Sequence, residues 1–134
     1  MNDRFRFRVW YNPQPTYGDY PKMLYDAENT YDYMGASELI PADCFGEILE
    51  DKNFIVMQCT GLKDKNGKLI YEGDIVTGKD HFDRDRKCVV RYSETYCCYF
   101  IVGDRWSDEF MFHISEKEVI GNIYENKELL EVEQ

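Results

Sequence analysis

Hydrophobic and polar residues alternate strictly over Arg4-Phe5-Arg6-Phe7-Arg8-Val9, placing Phe5, Phe7 and Val9 on one face of a half-buried strand and the three arginines on the other. Asn12-Pro13-Gln14-Pro15 stops that strand, because two prolines remove backbone donors and fix φ. A loop rich in Tyr, Asp, Gly and Pro then runs to about residue 33. Within residues 34–51, Pro41 suits a first helical turn and Cys44, Phe45, Ile48 and Leu49 recur near helical spacing, which predicts one short helix weakened by Gly46. Phe54-Ile55-Val56-Met57-Gln58-Cys59 is a continuous apolar run, the pattern of a strand buried on both sides.

Lys63-Asp64-Lys65-Asn66-Gly67-Lys68 carries Asn-Gly between apolar stretches, predicting a tight hairpin with a type I′ turn. Leu69-Ile70-Tyr71 leads into Glu72-Gly73-Asp74, where glycine permits a bulge or sharp bend before Ile75-Val76 resumes a strand. Strands are also predicted over residues 87–92, 96–102 and 109–114, and a last one over Val119-Ile120-Gly121-Asn122-Ile123-Tyr124, interrupted by Gly-Asn. The polar tail after Tyr124 suits one helical turn. Short strands at this spacing describe a mainly β fold with minor α: an amino-terminal strand, loop and short helix in residues 1–53, packed on a small barrel in 54–126, with a polar tail in 127–134.

Composition narrows the class. A length of 134 residues is ordinary for one domain, and 43% hydrophobic residues with 11 tyrosines and 8 phenylalanines give the chain the aromatic surface that a disordered acidic tail lacks. No apolar run approaches a membrane span and no apolar h-region follows the amino-terminal charges, so neither membrane insertion nor secretion is expected. Cys44, Cys59, Cys88, Cys97 and Cys98 are odd in number and lack Cys-x-x-Cys spacing, and read as reduced thiols in a cytosol. A net charge of -10 opposes non-specific binding to a phosphate backbone, although the cluster Arg84, Arg86, Lys87 and Arg91 offers local phosphate contacts.

Candidate chemistry is sparse. Glu72 and Asp74 could hold a cation or act as acid and base, but at a strand corner two such acids more often cap backbone amides in solvent. Asp80, Asp83 and Asp85 surround His81 at alternating spacing, yet they lack the glycine and glutamate positions of a calcium loop and read as a solvated, mixed-charge loop. His113 with a cysteine would supply the parts of a nucleophilic site, but a strand histidine bonded to its surroundings fits better, and Cys97-Cys98 reads as core and surface alternation rather than redox chemistry. Tyr92, Tyr96, Tyr99, Phe100 and Trp106, near Arg91 and Arg105, form the one binding platform the pattern offers, against the alternative that strand aromatics fill a core.

The stretch Thr60-Gly61-Leu62-Lys63-Asp64-Lys65-Asn66-Gly67-Lys68-Leu69-Ile70-Tyr71-Glu72-Gly73-Asp74-Ile75-Val76, with Val119-Ile120-Gly121-Asn122-Ile123-Tyr124-Glu125-Asn126 after it and Phe5-Arg6-Phe7-Arg8-Val9-Trp10 before it, resembles the YopX-like proteins of bacteriophages and prophages. The resemblance implies a phage or prophage origin, a bacterial cytoplasm and an SH3-like barrel in the carboxyl half. It implies no established activity and brings no catalytic or ligand-binding residues with it.

The expectation is therefore a non-enzymatic accessory protein that binds a host or phage protein, without cofactor, metal or catalytic residues. Its binding residues would be Arg84, Arg86, Lys87, Arg91, Tyr92, Tyr96, Tyr99 and Trp106. Two alternatives are a small β-barrel that binds nucleic acid through the same residues and an acidic mimic of DNA that occupies a host protein. Exposed strand edges leave room for a homo-oligomer.

Overall fold

The computed structural model describes residues 3–13, 20–29, 44–103 and 109–130. The chain divides into two units, residues 1–59 and 60–134.

In the first unit, strand β1 (Phe7–Tyr11) lies between β2 (Lys22–Tyr25) and β3 (Phe54–Lys63), antiparallel to both. Val9 faces Leu24 on one side and Val56 on the other, and these positions point to the core. Helix α1 (Phe45–Glu50) closes that core with Ile48, which is fully buried, and with Phe45, whose ring lies 5.0 Å from that of Phe7. Tyr11 stacks on Phe54 at 5.0 Å. Burying an aliphatic side chain such as Ile48 is worth about 1.5–3 kcal/mol, which a six-residue helix needs because it is too short to be stable alone.

Local pattern reading misses several features of this unit. Phe5 sits in a 3-10 turn (Asp3–Phe5) and is exposed, so the strand starts at Phe7 and runs on to Tyr11. Arg8, expected on a solvent face, is 2% exposed, because Tyr25 directly across β2 lays its ring 5.9 Å from the guanidinium and its hydroxyl accepts a bond from Nη1 at 3.4 Å. The segment after Pro13 contains β2, which a second strand and not local alternation stabilises; residues 14–19 and 30–43, with Pro15 and Pro41, lie outside the described residues. In α1 only Phe45 and Ile48 pack inward, while Cys44 is the exposed N-cap and Leu49 faces solvent. Strand β3 is not buried on both sides: Phe54, Met57 and Cys59 are buried and Ile55 is exposed.

Strand β3 continues into the second unit and pairs there with β4 (Leu69–Tyr71). The turn between them has Gly67 at φ +83, while Asn66 stays outside the positive-φ region that a type I′ turn requires at both central positions. Gly67 N–H donates to the Asp64 carbonyl and Asp64 N–H to the Lys68 carbonyl, a three-residue hairpin loop with one left-handed glycine.

The rest of the unit is an antiparallel sheet in the order β8-β7-β6-β5-β9, formed by β5 (Asp74–Lys79), β6 (Asp85–Ser93), β7 (Cys98–Gly103), β8 (Glu109–Phe110) and β9 (Ser115–Asn122). Ile70, Val76, Cys88, Val90, Ile101, Met111 and Ile114 form its core. The strand expected over 109–114 ends after two residues, because Met111–His113 turn into a 3-10 segment that drops Met111 and Ile114 into that core. The tail forms a 3-10 turn over Lys127–Leu130.

Two bulges bend β9. Thr77 faces Glu118 and Lys79 faces Ser115, so Glu116 and Lys117 oppose the single residue Gly78, and Glu116 takes φ +53. Gly78 is required there: a Cβ would overlap Ile114 Cγ2 and lie 2.8 Å from the Ser115 carbonyl oxygen.

Candidate binding surface

The two motif stretches are bound to each other through their polar residues. Asp64 Oδ1 accepts from the backbone N–H of Asn66 at 2.8 Å and of Lys68 at 2.9 Å, while Oδ2 accepts from Val119 N–H on β9 at 3.0 Å. Burial pushes the Asp64 carboxyl up, but the bonds from Val119, Lys68 and Asn66 outweigh that and hold it below its ordinary value. Gly73, at φ +83, donates to the Val90 carbonyl and accepts from Ile123 N–H. Asp74 is 1% exposed and accepts from Tyr71 N–H at 2.8 Å, so it caps an amide as expected but does so inside the unit, not in solvent. Asn122 Oδ1 accepts from Tyr124 and Glu125 N–H, and Asn122 N–H donates to Asn126 Oδ1. A Cβ on Gly121 would stand 2.6 Å from that oxygen. The motifs thus describe a hydrogen-bonded corner.

The loop between β5 and β6 is built on another carboxylate. Asp80 is buried and accepts from Phe82 N–H at 2.9 Å, Arg84 N–H at 3.0 Å and Arg84 Nε at 3.0 Å, with Arg86 Nη1 at 3.6 Å. Burial raises the Asp80 carboxyl, and the Arg84 and Phe82 bonds with the Arg84 charge bring it below its ordinary value. The loop is solvated as expected at His81, Phe82, Asp83 and Asp85, but the carboxylate of Asp80 is buried and satisfies it from within. Among the described residues no three His, Cys, Asp or Glu side chains gather as metal ligands.

These bonds separate the basic residues of the expected site from its aromatic ones. Arg84 and Arg86 are engaged with Asp80 at the start of β6, and Arg86 is buried. Lys87 is half-buried opposite Thr77. Arg91 is exposed but faces Phe100, on the side of the sheet away from Val90, Tyr92 and Tyr99. The tyrosines do come together: Tyr92 pairs with Tyr99 across the β6–β7 hairpin with rings 5.2 Å apart, edge to face. Tyr99 packs against the core, Tyr92 is exposed, and Tyr96 in the hairpin turn is 69% exposed. Cys97 beside it takes φ +52 and is exposed, while Cys98 is half-buried. Trp106 and Arg105 lie outside the described residues.

One juxtaposition has almost no signal in the sequence. His113, in the 3-10 segment after β8 and not in a strand, meets His81 from the β5–β6 loop, with ring centres 5.8 Å apart. Only the glycine at position 78 hints that these segments approach.

The model of the family described as YopX protein matches residues 6–131. The chain belongs to the YopX family. Its fold is similar to the crystal structure of protein EF1440 from Enterococcus faecalis, with 27% identity and a TM-score of 0.56 over 94% of this chain and 97% of that one. It is also similar to protein yopX from Bacillus subtilis, with 22% identity and a TM-score of 0.58 over 100% of both chains. A search of curated proteins found no match. YopX membership therefore agrees with the motif resemblance, and no catalytic family is indicated. Among the described residues no helix is long and apolar enough to cross a membrane.

Proposed function

We propose that this YopX-family chain is a non-enzymatic phage or prophage accessory protein that acts as one domain in a bacterial cytoplasm. Its carboxyl half, an SH3-like arrangement of strands, grips a host or phage protein. The observation that carries this reading is the exposed tyrosine surface at the β6–β7 hairpin, where Tyr92 and Tyr96 face solvent over a Tyr99 anchored in the core. Tyrosine supplies large contact area at low entropic cost, and an anchor already held by packing loses little more on binding. Nucleic acid is the weaker reading, since Asp80 offsets the charge of Arg84 and Arg86.

The test is affinity capture from the lysate of a lysogenic host with the wild-type chain and with a Tyr92→Ala, Tyr96→Ala double variant. One protein should be recovered in stoichiometric amount by the wild type and lost with the variant. Equal recovery by both, or no stoichiometric protein, would overturn the reading; a DNA or RNA mobility shift that disappears with salt would favour nucleic acid.

A further inference from the structure

The chain has two histidines, and both are exposed and face one another. We propose that His81 and His113 form a surface site for a late first-row divalent cation, of the class of Zn2+, Ni2+ or Cu2+, each imidazole giving one nitrogen and water completing the shell. Neutral imidazole is a good ligand for these ions, and a ring has two nitrogens, so one can coordinate while the other keeps a hydrogen bond.

The geometry fits. With metal–nitrogen bonds of about 2.0–2.1 Å and each ring centre about 1.2 Å behind its nitrogen, two imidazoles on one ion have centres roughly 5.3 Å apart at a tetrahedral angle and about 5.9 Å apart at a wider one, a span that contains the observed 5.8 Å. The rings are inclined at 71°, so they do not stack flat on each other and close the space between them.

The pair is also held in place before any ion arrives. His81 rides on the loop that buried Asp80 fastens through Phe82 and Arg84, and its ring rests 4.3 Å from the Phe82 ring. His113 precedes Ile114, which is buried and donates its N–H to the Met111 carbonyl. The two segments are tied by Ser115 Oγ bonding the Lys79 carbonyl and by the close approach that Gly78 allows. Little ordering remains to oppose binding. Of the cations near the pair, Arg84, over the Phe82 ring at 4.8 Å, is ion-paired with Asp80, which limits its repulsion of a metal, and Lys117 Nζ is held by the Ile114 carbonyl at 2.7 Å.

Ni2+ titrated into the full chain should give one binding event, followed by calorimetry, and its paramagnetism should broaden both histidine ring resonances together in the proton NMR spectrum. His81→Ala and His113→Ala should each weaken binding by at least roughly tenfold. Both side chains are exposed, so the variants should keep the wild-type thermal midpoint. Absence of binding at millimolar Ni2+, broadening of only one histidine, or undiminished affinity in the double variant, as thiol ligation by Cys44 or Cys97 would give, would each overturn the site.

Discussion

Asp64→Asn should be among the most damaging conservative substitutions in this chain. The change keeps size and shape but replaces one acceptor oxygen with an NH2 group. Both oxygens are in use, Oδ1 by Asn66 and Lys68 and Oδ2 by Val119, so either orientation of the amide sets a donor against a donor. Asn66 and Lys68 lie at the surface, where water can take over part of the loss. Counting charge-assisted bonds to three amides with that discount, the expected cost is about 2–4 kcal/mol, or roughly 10 °C in thermal midpoint for a chain of this size. Acid should reveal the same interaction with a definite sign. The folded carboxyl titrates below its ordinary value, so the unfolded chain takes up the proton first as pH falls. The contribution is fully present well above the ordinary value of 3.8 and is lost as pH falls through it toward the folded value. Urea unfolding at pH 7, 5, 4 and 3 should show a constant gap between wild type and variant at the two higher values and a narrowing gap at the two lower. A variant within about 0.5 kcal/mol of wild type at pH 7, or a gap independent of pH, would refute the argument that this carboxylate joins the hairpin turn to β9.

Gly78→Ala should lower stability by about 1–3 kcal/mol, because the new methyl meets Ile114 and a backbone oxygen that cannot move without breaking the β5–β9 pairing; a fluorimetric melting scan checks it. Ile101→Ala, at a position 1% exposed in the second core, should cost about 2–5 kcal/mol in urea titration, whereas Phe82→Ala, at an exposed position, should change the unfolding free energy by less than about 1 kcal/mol.

Local sequence was informative wherever the physical cause is local. The Asn12-Pro13 stop, the left-handed Gly67 and Gly73, and the short helix around Ile48 follow from backbone restrictions and spacing within a few residues. The two strands on either side of the 93–95 break and the clustering of their tyrosines were legible for the same reason, and the structure pairs them as a hairpin, as neighbouring strands with a short turn do by default. Family membership was carried by motif residues whose work is structural: Asp64, Gly73, Asp74 and Asn122 each satisfy backbone groups at the corner they build.

The tertiary structure decided what depends on partners distant in sequence. Strand β2 has no alternation strong enough to announce it and exists because β1 offers a ladder. Arg8 is buried because Tyr25 covers it, and the strand expected over 109–114 gives way to a 3-10 turn because the core takes Met111 and Ile114. Alternation along β6 puts Arg91 and Tyr92 on opposite faces, and Asp80 holds Arg84 in an ion pair and Arg86 out of solvent, so residues adjacent in sequence do not form one surface. The converse holds for His81 and His113, which no spacing rule connects. A sequence records residue types and short-range geometry, whereas burial and adjacency across strands arise only when separate segments compete for the same core and the same backbone donors.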